Sequence, residues 1–132
     1  MGTFATTEEA REYFKGDRFA TDSDMVVREV GENYAVCDVI LSEKHQNANG
    51  GVMGGAIFTL ADFAFAVCVN QIHRPTVAQQ VSINYLGAPK GRKMIAKAVC
   101  RKNGRTSTIV NVDVTDDTGR DIAQFVGTGF KL

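Results

Sequence analysis

Between Gly55 and Asn70 the chain holds almost no polar side chain except Thr59 and Asp62. The length of this run and its alanine content predict a helix rather than a strand. A helix that is apolar all round must be covered on most of its sides. Elsewhere the apolar positions come in short runs or alternate. Met25 to Val30 and Tyr34 to Leu41 are rich in Val and Ile, and Gly31-Glu32-Asn33 between them has turn chemistry, which predicts a β-hairpin. Ser42 to Gly51 is a polar loop that ends at Gly54-Gly55, and Ile72-His73-Arg74-Pro75 closes the long helix. Val77 to Leu86 then alternates, which predicts a strand with Val77, Gln79, Val81, Ile83 and Tyr85 on one face. Met94 to Arg101 and Thr106 to Thr115 flank the turn Lys102-Asn103-Gly104-Arg105. Asp121 to Phe130 returns as the last strand after Asp116-Asp117-Thr118-Gly119. At the start, Thr6-Thr7-Glu8-Glu9 has the form of a capping box, so a short helix is expected to about Phe14, ending near Gly16, with 19–24 irregular.

The predicted order is a short helix, two strands, the long helix and a further run of strands (α-β-β-α-β-β-β). It implies one α+β domain over residues 1–132, with an antiparallel sheet of about five strands curled round the long helix. In a chain of 132 residues only such a sheet can cover that helix, because there is no room for a second core. Bare edge strands are a hazard, so the strands are the expected place for subunit contacts.

Charge and cysteine content narrow the classes of function. Fifteen Lys and Arg balance fifteen Asp and Glu, which argues against nucleic acid as a partner, since that binding rests on phosphate neutralisation. Zero net charge also protects poorly against self-association. Cys37, Cys68 and Cys100 lie far apart among apolar neighbours, with no spacing that suits a metal, and are expected to be buried free thiols in a reducing cytoplasm. Met1 to Lys15 is acidic and lacks a long apolar run, so no signal peptide is expected there. Ala56 to Val69 is too short to span a bilayer and contains Asp62, so no membrane partner is expected.

Two features carry chemistry. Gly54-Gly55 opens the buried helix, where unpaired backbone N–H groups and a partial positive charge can hold a carbonyl oxygen as it becomes an oxyanion. The same pair also suits a tight turn or close packing. Asp62 is an acid inside an apolar helix. It must be hydrogen-bonded, paired or reached by water, and is either a general base or a structural carboxylate. Asp62 follows Gly54 by eight residues, roughly 12 Å along a helix axis. One chain therefore cannot bring both to one small reacting group, whereas two chains related by a two-fold axis can, and each such dimer has two sites.

The stretch His45-x-Asn47-x-x-Gly50-x-x-Met53-Gly54-Gly55, followed by Leu60-Ala61-Asp62, resembles the hotdog-fold acyl-CoA thioesterases of the phenylacetate-degradation (PaaI-like) type. Their pattern is H-x-N-x-x-G-x-x-H-G-G with an acid on the following helix. The resemblance implies hydrolysis of an acyl-CoA to a free acid and coenzyme A, with coenzyme A as part of the substrate and no cofactor or metal. It implies a homodimer or a dimer of dimers. Asp62 would be base or nucleophile, Asn47 would orient water or substrate, and the Gly54 N–H would polarise the thioester carbonyl, with Asp62 coming from the opposite subunit. Two positions depart from the family. Met53 replaces the second His and has neither an ionisable group nor a hydrogen to donate. Ala78, with Gln79 beside it, stands where the family often has Ser or Thr.

The remaining candidates are weaker. His45 and Gly55 belong with Met53, Ala78 and Gln79 to the expected substrate-binding set, although a loop histidine more often holds backbone. Arg92 and Arg105 lie in basic turns and are the cations available for coenzyme A phosphates. Cys68 reads as core rather than nucleophile. The competing function is a non-catalytic acyl-CoA binding protein, its rate lost with Met53 and Ala78. A hydratase ranks lower, because no His follows Asp62 closely on the helix.

Overall fold

The computed structural model describes residues 2–132. Its elements are α1 (Thr7–Tyr13), α2 (Arg18–Thr21), β1 (Val26–Gly31), β2 (Tyr34–Ile40), α3 (Gly54–Ile72), β3 (Thr76–Tyr85), β4 (Lys93–Asn103), β5 (Ser107–Asp116) and β6 (Asp121–Lys131). All strands join one antiparallel six-stranded sheet in the order β1-β2-β4-β5-β6-β3, which corrects the expected count of about five and matches the six segments read as strands. The chain leaves β2, runs through α3 and returns as β3 at the opposite edge, beside β6. The sheet thus passes round the helix, the hotdog arrangement that the resemblance implies. The residues 19–24, expected to be irregular, include the short helix α2.

Local chemistry explains the boundaries. Thr6 Oγ1 accepts the Glu9 N–H at 3.0 Å, and the Glu9 carboxylate reaches back to the Ala5 N–H at 3.1 Å, so α1 starts on a reciprocal cap. The β1–β2 turn places Asn33 at φ 65, a left-handed conformation that Asn tolerates. Asp116 ends β5 with its carboxylate accepting from the N–H groups of Lys90, Gly91, Thr118 and Arg120 and from the Thr118 hydroxyl. The Thr118 hydroxyl outweighs the effect of burial and, with these N–H donors, holds the acid far below the usual carboxylate range. Asp38 is buried on β2 and paired by both oxygens with Arg28 at 2.8 and 3.0 Å, and with Lys93 at 3.3 Å.

α3 has 19 residues and would suit a membrane crossing by length and apolarity, but the sheet takes up its apolar faces. Leu60, Ala61, Ala64, Val67 and Cys68 are fully buried against an inner sheet surface that includes Ala35, Ala96, Ala98, Val110 and Val112. Small residues on that surface set the distance. A Cβ added at Gly127 would lie 2.6 Å from the Phe65 ring, and one at Gly129 would lie 2.8 Å from Thr76 Cγ2. Both glycines belong to β6 and allow the sheet to approach the helix where a side chain would not fit.

The two sheet edges differ. α1 lies over β1, where the Arg11 Nε donates to the Val27 carbonyl at 2.9 Å and Thr7 Oγ1 accepts the Val30 N–H at 3.1 Å. β3 has β6 on one side only. It also contains a bulge between Ala78 and Gln80, leaving Gln79 without a ladder partner. The extra residue reverses the alternation. Ala78, Val81, Ile83 and Tyr85 pair with Gly129, Gly127, Phe125 and Ala123 on the inner face, whereas Val77 pairs with Phe130 on the outer one. The expectation of Val77 and Gln79 on the same face as Val81 is corrected by this single residue.

Gly127→Val tests the close approach. Valine favours strands, so propensity alone predicts a gain. The Phe65 contact predicts instead a loss of about 1–3 kcal/mol, read as a lower midpoint in denaturant with native circular dichroism retained.

Candidate functional site

The site is built by a loop and the helix it feeds. His45 is only 3% exposed. Its Nδ1 accepts the Ser42 N–H at 3.0 Å, and its Nε2 lies 2.8 Å from the Ser23 carbonyl, to which it donates. Both ring nitrogens are thus used on backbone, and the ring pins the loop to the segment before β1. Asn47 Oδ1 accepts from the N–H groups of Asn49 and Gly51 at 2.9 and 3.1 Å. Gly50 at φ 85 completes the turn. The Asn47 side-chain oxygen is therefore a loop brace, and only its amide nitrogen remains to serve a substrate or a water.

The loop ends by presenting the helix start. Met53 donates its N–H to the His45 carbonyl at 2.8 Å, while its own carbonyl accepts from Ala56 and Ile57. Among the described residues, the N–H groups of Gly54 and Gly55 have no backbone acceptor. The Tyr85 hydroxyl donates to the Gly54 carbonyl at 3.1 Å and fixes the direction of that peptide. Met53, where the family pattern has His, is 53% exposed and lies over Gly55. A cleft of 410 Å³ opens beside these glycines, with Phe19, Met25, Met53, Phe58 and Tyr85 among its lining residues. It is of the size and character of a small-molecule pocket.

Along α3 the residues outside the core include Gly55, Thr59, Asp62 and Ala66. Spaced by four, three and four, they stack on one face of the helix. This stripe is the part of α3 that the sheet leaves uncovered. Asp62 is half-buried, and no hydrogen bond or ion pair to its carboxylate occurs among the described residues. It borders one cleft of 280 Å³ with Asp17, Phe19, Phe58 and Thr59, and a second of 320 Å³ with Tyr13, Asp17 and Ala78. Burial pushes the Asp62 carboxyl above the ordinary aspartate value, and the negative charge of Asp17 pushes it further.

The structure brings Asp62 and Ala78 together, and Met53 and Gly55 together. It separates the two groups, because Asp62 does not line the cleft at the helix start. Gln79, carried on the bulge, lines neither Asp62 cleft. Arg92 and Arg105 precede and follow β4, an 11-residue strand, which puts them roughly 35 Å apart. Arg92 lies at the helix-start end, where its carbonyl accepts the Leu41 N–H. Arg105 lies at the other end, so one phosphate group cannot meet both in one chain. Two residues at the site were missed from the sequence. Asp17 and Phe19 flank the Asp62 cleft, and Phe19, 78% exposed, also lines the cleft at the helix start. An isolated aromatic residue in a polar stretch was the available signal.

The family model described as "Thioesterase superfamily" matches residues 49–123. A putative esterase of Archaeoglobus fulgidus is 31% identical over 127 residues, covering 95% of this chain and 82% of that protein. The chain belongs to the thioesterase superfamily. The acyl-coenzyme A thioesterase PaaI of Escherichia coli is 23% identical to this superfamily member over 126 residues, covering 95% of this chain and 90% of that one. The solved structure of E. coli PaaI superposes with a TM-score of 0.87 at 22% identity, covering 93% of this chain and 90% of that chain. A hypothetical thioesterase of Streptococcus pneumoniae, solved with coenzyme A, superposes at 0.81 with 28% identity, covering 89% and 94%. The resemblance read from the loop and helix motif is thus confirmed at the level of family and fold, and the matched segment starts within the loop that carries it.

The environment of Asp62 has a thermodynamic signature. The folded state binds its proton more tightly than the unfolded state. Stability of this superfamily member therefore falls as pH rises from the ordinary aspartate value through the raised one, and stays lower above it. Asp62→Asn is expected to raise Tm at pH 7 by a few degrees and to have no such effect at pH 3, measured by thermal unfolding across that range.

Proposed function

We propose that the protein is an acyl-CoA thioesterase whose site forms between two copies of the chain. What supports this is the uncovered stripe on α3. It offers N–H donors at Gly54 and Gly55 and, two turns on, a carboxylate, all without a partner among the described residues. A two-fold axis at the level of Phe58, midway between positions 54 and 62, sets the Gly54 end of one helix against the Asp62 of the other. The bare edge of β3 supports the same axis. Pairing β3 with its copy continues the sheet and lays the two helices side by side, whereas the β1 edge is occupied by α1.

In this reading the apolar cleft beside Gly55 takes the acyl group, and the thioester carbonyl points at the N–H groups of the helix start. Asp62 of the opposing chain takes a proton from water as hydroxide adds to the carbonyl carbon, or attacks that carbon itself. In the second case loss of the thiolate leaves an acyl-aspartyl anhydride that water hydrolyses to the free acid and the Asp62 carboxylate, the water's second proton going to the thiolate. The oxyanion is held by the Gly54 N–H and the end of the helix dipole. The C–S bond then breaks and the thiolate of coenzyme A takes the proton. Asn47 contributes its amide nitrogen towards the water or substrate. Arg92 is the cation on the helix-start side available to the coenzyme A phosphates, and Arg105 is available only from the far end. The steps use no metal. Three free cysteines, two of them buried, suit a reducing compartment such as the cytoplasm.

Thiol release from short, long and aryl acyl-CoAs tests the reading. Asp62→Ala is expected to lose turnover with the dimer intact. Gly54→Pro removes one N–H at a helix position that accepts proline, and is expected to lower kcat by about 10²–10³. Binding of acyl-CoA by the wild type without turnover would instead mark a binding protein.

The shared site is tested by mixing the two inactive variants. A hybrid dimer then has one site with both residues intact, and activity returns to about one quarter of the wild-type value. No recovery, with hybrids shown to form, places both residues in one chain's site and overturns the two-chain arrangement. Val81→Pro, which prevents β3 from pairing, is expected to give an inactive monomer by sedimentation and activity assay.

A further inference from the structure

The acid on α3 is not alone. Asp17 precedes α2 as its N-cap residue, yet its carboxylate makes no capping hydrogen bond. Among the described residues no ion pair involves it either, since the adjacent Arg18 is directed at Asp22 at 3.7 Å. Asp17 instead lines both of the clefts that Asp62 lines. Two carboxylates without hydrogen-bonded partners among the described residues therefore border the same two open clefts. From the sequence they are far apart, and only the packing of the 14–21 segment over the uncovered stripe brings them together.

We infer that Asp17 is a positioning residue for the hydrolysis proposed above, a second negative charge that faces Asp62 across the shared clefts and strengthens it as the group that takes water's proton. The inference rests on the thioesterase reading of Asp62. The other groups at the clefts do not do this work. Tyr13 and Arg18 are the remaining titratable or charged side chains there. The polar side chains there are bonded elsewhere: the Thr59 hydroxyl donates to the Gly55 carbonyl, the Asn70 amide bonds the backbone of Ala66 and Thr76, and the Thr76 hydroxyl donates to the His73 carbonyl. The side chain of Ala78, on β3, has no hydrogen to donate. A hydroxyl at position 78 would stabilise the carboxylate and weaken it as a base, and alanine avoids this. In the proposed dimer the opposing helix start adds partial positive charge, which makes Asp62 a weaker base. Asp17 counters that pull. Burial raises the affinity of Asp62 for a proton, and the Asp17 charge adds to it.

The experiment compares the wild type with Asp17→Asn and Asp17→Glu in the full chain. kcat/KM for an acyl-CoA is followed against pH, and the Asp62 carboxyl is titrated by carbon-13 NMR. Asp17→Asn is expected to move the acidic limb and the Asp62 midpoint down together by about half a pH unit, a roughly threefold change in the ionisation constant, with KM unchanged. Asp17→Glu keeps the charge and is expected to restore both. A purely structural role would change Tm or KM and leave the limb and midpoint where they are, and that result overturns the inference. So does an equal shift in Asp17→Glu. The NMR arm needs no turnover. If the wild type hydrolyses no acyl-CoA, the reaction proposed above falls by itself, and the Asp62 midpoint in Asp17→Asn still decides whether the two carboxylates are coupled.

Discussion

One helix has to be covered on most of its sides by one sheet, and the rest of the structure follows from how far that succeeds. A free apolar helix of this length would expose more hydrocarbon than a chain of this size can leave in water. Six strands wrap it, the small residues of β4 and β6 let them lie close, and the sheet still does not meet itself. The remaining strip of α3 carries Gly55, Thr59, Asp62 and Ala66, residues small or polar enough to stand outside the core. The incomplete cover places an acid, which a fully enclosed helix could not accommodate without a partner, at the border between core and water. The same limit that shapes the fold thereby leaves a half-buried carboxylate whose proton affinity burial raises.

The loop before the helix shows how a motif divides its work. His45 and Asn47 look like chemical groups in a sequence, but most of their hydrogen-bonding capacity is spent on backbone at Ser42, Ser23, Asn49 and Gly51. This makes the loop rigid enough to deliver Met53, and with it the direction of the first peptides of α3. In the proposed reaction the group at the helix start is backbone rather than side chain, and Met53, where the family pattern has His, leaves that backbone in place.

Much of this was legible in the sequence. The periodicity of each strand, the capping residues of α1 and the apolar run of α3 gave the architecture, because burial alone decides those patterns. The distance between Gly54 and Asp62 followed from helix rise. Other features were hidden for physical reasons. Gln79 reverses the face of Val77 through one unpaired residue, and alternation cannot reveal where a ladder slips. Asp17 sits far from Asp62 along the chain, in a stretch with no periodicity of its own, and its place depends on how 14–21 packs on α3. Arg92 and Arg105 look equivalent as basic turns, and only the length of β4 shows that they occupy opposite ends of the molecule.

The unequal edges of the sheet govern growth. A sheet with two open edges can recruit copies at both and has no reason to stop, which is how strands build fibres. Here α1 occupies β1, with Arg11 and Thr7 bonded to its backbone, and only β3 is left open. A molecule with one open edge is spent after a single antiparallel pairing, since the joined sheet has a covered strand at each end. In the association proposed above, the first helix, by covering β1, acts as a chain terminator that limits growth through the sheet edges to two copies.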